Sequence, residues 1–149
     1  MKDLTQLQSL DLRINKISDA SSLKSLKQLK SLEISNNRIS NYLPFRALKK
    51  LEFLSIQYNN LLNGSFFKSL KELNFLNLNF NRISNISSLK DLKKLKFIGL
   101  YRNNVSNISS LKDLKQLESL QLGMNKVSDI SSLKGLKKLQ NLQLHYNKI

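Results

Sequence analysis

Hydrophobic residues recur along this chain in one fixed frame. In the segment from Leu7 to Ile17, aliphatic residues hold the first, fourth, sixth and last places, and an asparagine precedes the last by two. Between Leu10 and Leu12 the apolar residues alternate with a polar one, which is the period of a half-buried β-strand. The frame therefore predicts a short strand followed by a turn at the asparagine.

The frame returns every 22 residues, and its asparagine stands at Asn15, Asn37, Asn59, Asn81, Asn103, Asn125 and Asn147. A constant period indicates a repeat architecture in which each repeat buries its apolar face only against its neighbours. We predict a single array with a partial repeat at 1–6, repeats 1 to 6 at 7–28, 29–50, 51–72, 73–94, 95–116 and 117–138, and a last partial repeat at 139–149.

Seven phased copies of the frame resemble the leucine-rich-repeat family, specifically its short 22-residue class. That class includes a phosphatase regulatory subunit and bacterial internalins. The resemblance covers essentially the whole chain. It implies the fold and a general habit of binding proteins on the concave face, but it identifies no particular partner.

The expected fold is an α/β solenoid, a right-handed arc with a parallel sheet on its concave wall. The second half of each repeat has leucines three residues apart, which predicts short helical or 3-10 turns on the convex side. Ser88 with Asp91, and Ser110 with Asp113, match a helix-capping pattern. We expect each repeated asparagine to satisfy the turn backbone of its own repeat and of a neighbour.

Two repeats depart from this pattern after their asparagine. The paired serines are replaced by bulkier segments at 42–45 and 61–67, although the repeat length is unchanged. We expect the convex return to be reshaped there while the strands persist, and we interpret the change as drift in a tolerant segment. The sequence begins and ends within a repeat and shows no cap, so self-association through uncapped ends is a further expectation.

The residues between the leucines should face the concave groove, where aromatic side chains gather. Phe53, Phe75 and Phe97 form one column on successive strands, and the residues toward the rim are Tyr58, Phe80, Tyr101, Arg102, Met124 and Tyr146. An exposed aromatic patch surrounded by small polar residues is typical of an interface, so these nine residues are predicted to bind a protein or peptide. The alternative is cross-strand stacking that only stabilises the sheet.

The net charge of +15 suggests acidic partners. Thirteen of the 25 lysines and arginines fall on two convex rows: Lys2, Lys24, Arg46, Lys68, Lys90, Lys112 and Lys134, then Lys27, Lys49, Lys71, Lys93, Lys115 and Lys137. We interpret the rows as a solvated face that keeps the array soluble. The alternatives are an electrostatic site for nucleic acid or anionic membrane, or a purely structural segment. Nucleic acid is the less favoured partner, because these rows and the aromatic column lie on opposite faces.

Composition excludes several functional classes. The 149 residues suit one domain, and neither a long apolar run nor a secretory leader is visible, so no membrane span is expected. There is no cysteine, His145 is the only histidine, and no phosphate loop or cluster of metal ligands occurs. We therefore predict no catalytic, cofactor-binding or metal-binding residues, and no enzyme. The cysteine-free composition favours a cytoplasmic location, while an extracellular one stays open.

Overall fold

The computed structural model describes residues 3–149, so Lys2 of the first convex row lies outside the described part. Within that part, seven three-residue strands form one parallel sheet whose order follows the chain: β1 (Ser9–Asp11), β2 (Ser31–Glu33), β3 (Phe53–Ser55), β4 (Phe75–Asn77), β5 (Phe97–Gly99), β6 (Ser119–Gln121) and β7 (Asn141–Gln143). Each strand pairs with the equivalent residues of the next, as Leu54 does with Leu76. The predicted parallel solenoid is confirmed.

Six 3-10 helices return the described chain on the other side of the core: η1 (Ser21–Ser25), η2 (Leu43–Ala47), η3 (Ser65–Ser69), η4 (Ser87–Leu89), η5 (Ser109–Leu111) and η6 (Ser131–Leu133). The core lies between the helices and the sheet. Leu54, Leu76 and Leu89 are fully buried there, as are their equivalents in the central repeats. In the outermost strand Leu142 is 42% exposed, because a neighbouring repeat covers it on one side only.

The predicted caps at Ser88 and Ser110 are wrong. The helices η4 and η5 begin one residue before these serines, at Ser87 and Ser109. Ser88 and Ser110 therefore lie inside the helices and cap neither of them. The hydroxyl of Ser110 donates to the carbonyl of Ile86, while that of Ser88 is buried without a partner among residues 3–149. An asparagine or aspartate two residues before the helix accepts the N–H of its first residue instead, as in Asn85–Ser87, Asn107–Ser109 and Asp129–Ser131.

The repeated asparagines do what the pattern predicts. In Asn103 the side-chain Nδ2 donates to the carbonyl of Leu100 in its own repeat and to that of Leu78 in the preceding one. Its Oδ1 accepts the backbone N–H of Ile83, also in the preceding repeat, at 2.9 Å. The side chain is only 7% exposed, so it replaces the water that these backbone groups would otherwise need.

The irregular repeats 2 and 3 keep their strands in register, as predicted. Aromatic rings fill the convex side of these repeats: Phe66 replaces a serine of the pattern, Tyr42 an alanine or isoleucine, and Phe45 a leucine. The ring of Tyr42 stacks on that of Phe66 at a centroid separation of 5.6 Å, and both contact Phe45. The helices η2 and η3 have the same five-residue length as η1. The connection before η3 differs in its backbone, because Asn60 has a φ of 57° and no other described repeat has a positive φ at this position.

Candidate functional site

The phenylalanine column forms a stack on the concave face. The rings of Phe53 and Phe75, and those of Phe75 and Phe97, lie 4.3 Å apart and nearly parallel. All three side chains are half-buried, because each covers a face of its neighbour. We name these three residues the Phe stack. It offers a partner mainly the ring edges and the outer faces at its two ends.

A second aromatic group follows the strands at the rim. Tyr58 stacks on Phe80 at 4.2 Å, and Phe80 meets the edge of Tyr101 at 5.3 Å. The guanidinium of Arg102 lies 5.8 Å from the Phe80 ring centroid, within range of a cation–π interaction. The hydroxyl of Tyr101 donates to Sδ of Met124 at 3.0 Å. Tyr146 occupies the same rim position in the last repeat. Six of the nine predicted residues therefore lie at this rim.

His145 joins this group, and sequence reasoning missed it. Its imidazole lies 5.6 Å from the Tyr101 ring and 5.7 Å from the Tyr146 ring. Gly123 makes this possible, because a Cβ there would lie 2.6 Å from the imidazole. The signal was available in the sequence, since His145 and Tyr101 occupy the same column with only a glycine between them. We name Tyr58, Phe80, Tyr101, Arg102, Met124, His145 and Tyr146 the rim cluster.

A polar strip separates the Phe stack from the rim cluster. Nδ2 of Asn79 donates to Oε1 of Gln121 at 2.9 Å, and this bond crosses the intervening strand β5 above Gly99. A Cβ at Gly99 would come within 2.8 Å of Oδ1 of Asn79. Ser55 is buried in the same strip. Within residues 3–149 no ring of one aromatic group pairs with a ring of the other, so the predicted surface consists of two parts.

Each described repeat places one residue of the rim in the left-handed backbone region. These residues have φ between 53° and 61° and are Ile14, Asn36, Tyr58, Phe80, Arg102, Met124 and Tyr146. The turn into the repeated asparagine adopts this conformation in every described repeat. It suits asparagine or glycine and is unfavourable for bulky or β-branched side chains.

At the N-terminal end of the groove, the acidic residue Asp11 forms an ion pair with Arg13 of the same repeat. Asp11 accepts hydrogen bonds from the guanidinium of Arg13, the shortest at 2.7 Å. This side-chain bond, together with the backbone N–H of Arg13, lowers the pKa of the Asp11 carboxyl. Asp11 is therefore already neutralised in part, which favours the interpretation as a solvated carboxylate over a contact with a basic partner.

Basic residues outside the two convex rows lie near the rim position of their repeats. The position two residues after the rim residue carries Lys16, Arg38, Arg82, Lys126 and Lys148, all exposed. At the N-terminal end, one surface depression is lined by Ile14, Lys16, Asn36 and Arg38, so in repeats 1 and 2 the residue at the rim position and its basic neighbour share a surface. We name these five residues the basic row. The convex rows are exposed as predicted, from Lys24 to Lys137.

Among residues 3–149 no three histidine, cysteine or acidic side chains are grouped as metal ligands would be. The same residues contain no helix with the length and apolar content of a membrane span.

Comparison with known proteins decides the family. A model of leucine-rich repeats in two copies matches residues 5–47 and 93–135, which is more than half of the chain. The chain belongs to the leucine-rich-repeat family. A search of curated proteins gives no match to this leucine-rich-repeat chain.

Two similar solved structures are internalins from Listeria monocytogenes. Internalin inlF is 36% identical over 98% of this leucine-rich-repeat chain and 44% of its own, with a TM-score of 0.94. Internalin C2 is 31% identical over 99% of this chain and 66% of its own, with a TM-score of 0.95. This chain therefore spans less than two thirds of either internalin.

A plant peptide hormone receptor, RGFR1 in complex with RGF2, is also similar. It is 25% identical over 98% of this chain and 26% of its own, with a TM-score of 0.83. Leucine-rich-repeat proteins are commonly protein-interaction modules, and this receptor binds a peptide.

Proposed function

We propose that the chain is a protein-interaction module that binds a protein or peptide on its concave side, with the rim cluster as the principal contact and the Phe stack as a second one. The observation that carries the proposal is the occupancy of the left-handed rim position. Asn36 shows the residue that this backbone accepts most easily, yet other repeats use Tyr58, Phe80 and Tyr146.

A bulky residue at a positive φ is strained by about 1 kcal/mol or more. The fold alone does not explain this choice, because asparagine serves the same backbone in repeat 2. Tyr58 and Tyr146 are also 49% and 78% exposed, so they bury little surface in return. Exposed aromatic and arginine side chains at one edge are the residue types that dominate binding energy in protein interfaces.

The charges beside the rim define the partner more narrowly. Arg82, Lys126 and Lys148 of the basic row and Arg102 of the rim cluster lie along this edge and are exposed. We therefore infer a partner whose contacting segment is acidic and carries aromatic or aliphatic side chains for the rings.

The experiment is a selection of peptides from a random library on the wild-type chain, followed by affinity measurement on three variants. One variant has Tyr58→Ser, Phe80→Ser and Tyr101→Ser, and another has Phe53→Ser, Phe75→Ser and Phe97→Ser. The convex control has Lys68→Ser, Lys90→Ser and Lys112→Ser. We expect the rim variant to lose most binding and the control to keep it. If folded rim and stack variants both bind as the wild type does, the proposal is wrong.

A second candidate is single-stranded nucleic acid, which the adjacency of the rim cluster and the basic row favours. Binders of single strands combine stacking rings with cations in one groove. Titration of an unstructured RNA or DNA oligomer at increasing salt tests it. Binding that weakens steeply with salt and is lost in the rim variant would select this function, whereas no binding at low salt would remove it.

A further inference from the structure

The boundary between repeats 2 and 3 lacks two hydrogen bonds that every other boundary between described repeats contains. At the five others the Oδ1 of the repeated asparagine accepts an N–H from the preceding repeat, as Asn103 does from Ile83, and the next residue donates its N–H back, as Asn104 does to the carbonyl of Ile83. The equivalent bonds from Ile39 to Asn59 and from Asn60 to Ile39 are not formed.

The backbone of Asn60 accounts for the missing bonds. Asn60 has a φ of 57°, whereas Asn104, the same residue type at the same position of repeat 5, is not in the left-handed region. Tyr42 packs against this segment and its hydroxyl donates to the carbonyl of Asn59 at 3.2 Å. Repeats 4, 5 and 6 have isoleucine at the position of Tyr42. The larger side chain of Tyr42 and the left-handed backbone of Asn60 thus occur together where the two bonds are missing.

A cleft of about 800 Å³ lies at this boundary, a size typical of ligand sites. One wall is formed by Ile39 and its neighbours in repeat 2, and the other by Asn59 and Asn60 in repeat 3. The side chain of Asn59 is only 1% exposed, and its Oδ1 has no hydrogen-bond partner within residues 3–149. An unpaired buried acceptor is unfavourable, so a donor that reaches it gains binding energy.

The unpaired groups at this boundary are the kinds that a peptide backbone pairs with. Ile39 has an N–H and a carbonyl without a bond among residues 3–149, and on the other wall the N–H of Asn60 has none, while Oδ1 of Asn59 lies buried beneath the surface of that wall. A peptide carries a donor and an acceptor at each residue, so a segment that enters the cleft can pair with groups on both walls. Leu43 and Leu62 line the same cleft and are 57% and 63% exposed, which offers contact area for an aliphatic side chain.

We propose that the cleft between repeats 2 and 3 is a second binding site, which takes an extended peptide segment with an aliphatic side chain. The site lies on the flank of the solenoid and shares none of its lining residues with the Phe stack or the rim cluster. It is independent of the concave-side function, and either proposal can fail without the other.

The test is a titration of the isotopically labelled chain with N-acetyl-leucine N-methylamide, followed by NMR. We expect saturable shifts of the amide signals of Ile39 and Asn60, while those of Ile83 and Asn104 at the closed boundary stay in place. Isoamyl alcohol, which has a similar aliphatic group and no amide, should bind far more weakly. Equal binding of the two probes, or shifts spread equally over both boundaries, would overturn the proposal.

Asn60→Arg introduces the residue type that repeats 2 and 4 carry at this position, and it disfavours the left-handed backbone. We expect it to re-form the bonds to Ile39 and to weaken probe binding by about tenfold or more, since two hydrogen bonds to the ligand are lost. The matched control Asn104→Arg should leave binding unchanged. Should Asn60→Arg not fold, Tyr42→Ile serves the same purpose. Undiminished binding to a folded variant of either kind would contradict the proposal.

Discussion

The junction of repeats 2 and 3 and that of repeats 4 and 5 carry the same pair of asparagines at the same positions, with different results. Asn103 bonds four backbone groups in two repeats, whereas Asn59 donates to Ile34 and Gln57 and leaves its Oδ1 unpaired. Asn104 and Asn60 also share a register position but differ in the sign of φ. The difference teaches that a repeat position specifies which groups are available, and the packing of neighbouring repeats decides whether they pair.

The largest expected effect compares the two buried asparagines. Asn103→Ala removes a bond to each of the carbonyls of Leu78 and Leu100, which keep their bonds from Asn81 and Asn125, and leaves the buried N–H of Ile83 without any partner. It should lower the free energy of unfolding by about 3 kcal/mol or more. Asn59→Ala removes no acceptor in use, so its cost should be smaller by about 1–2 kcal/mol. Urea unfolding of both variants measures the difference. Equal losses would mean that the junction is closed in solution.

The hydroxyl of Tyr42 provides the next comparison. Tyr42→Phe keeps the ring that stacks on Phe66 but removes the donor to the carbonyl of Asn59. We expect a loss of about 1 kcal/mol in unfolding free energy. Tyr146→Phe, at an exposed ring, should change stability little, and an equal effect of both substitutions would contradict the assigned hydrogen bond.

Glycine substitutions test the backbone at the two exposed asparagines. Asn60→Gly places the residue best suited to a positive φ where the backbone already has one, so stability should change by less than about 0.5 kcal/mol. Asn104→Gly gains no such compensation and should destabilise by about 0.5–1 kcal/mol. Thermal unfolding compares the pair, and the reverse order would exclude the left-handed conformation of Asn60.

Acid unfolding gives the smallest contrast. Backbone and side-chain hydrogen bonds from Ser21 and Ser131 lower the pKa of Asp19 and Asp129 in the folded chain. Because the folded-state pKa lies below the unfolded value of about 3.9, each carboxylate stabilises the folded chain at pH values above about 3.9. This stabilisation is lost as the pH falls through the folded-state pKa. The double variant Asp19→Asn, Asp129→Asn carries asparagine at both positions, as repeats 4 and 5 do at the equivalent position. Its urea midpoint should fall less than the wild type's between about pH 5 and pH 2. An identical decline would contradict this.

The strands, their register and the role of the repeated asparagines could be predicted because they follow from two periods in the sequence, two residues within a strand and 22 between strands. The division of the aromatic surface could not, because it depends on side-chain directions, such as Asn79 reaching over Gly99 to Gln121. The capping prediction failed because Ser88 and Asp91 match a pattern whose meaning depends on where the helix begins.

The basic row and the open junction escaped prediction for different reasons. Lys16 and Ile14 flank the repeated asparagine Asn15, and only the turn geometry brings both to one surface. Asn60 and Asn104 are identical in type and position, so no local pattern separates them. The distinguishing residue, Tyr42, is far from Asn60 in sequence and acts through packing between repeats.

Hydrogen–deuterium exchange at single-residue resolution tests the central claim most directly, because two amides at the junction of repeats 2 and 3 lack the hydrogen bonds that their equivalents form at the other junctions. We expect the amides of Ile39 and Asn60 to exchange much faster than those of Ile83, Asn104, Val105 and Lys126, which are bonded across closed boundaries. Equal protection of Ile39 and Ile83 would show that all boundaries pair alike and would contradict the account.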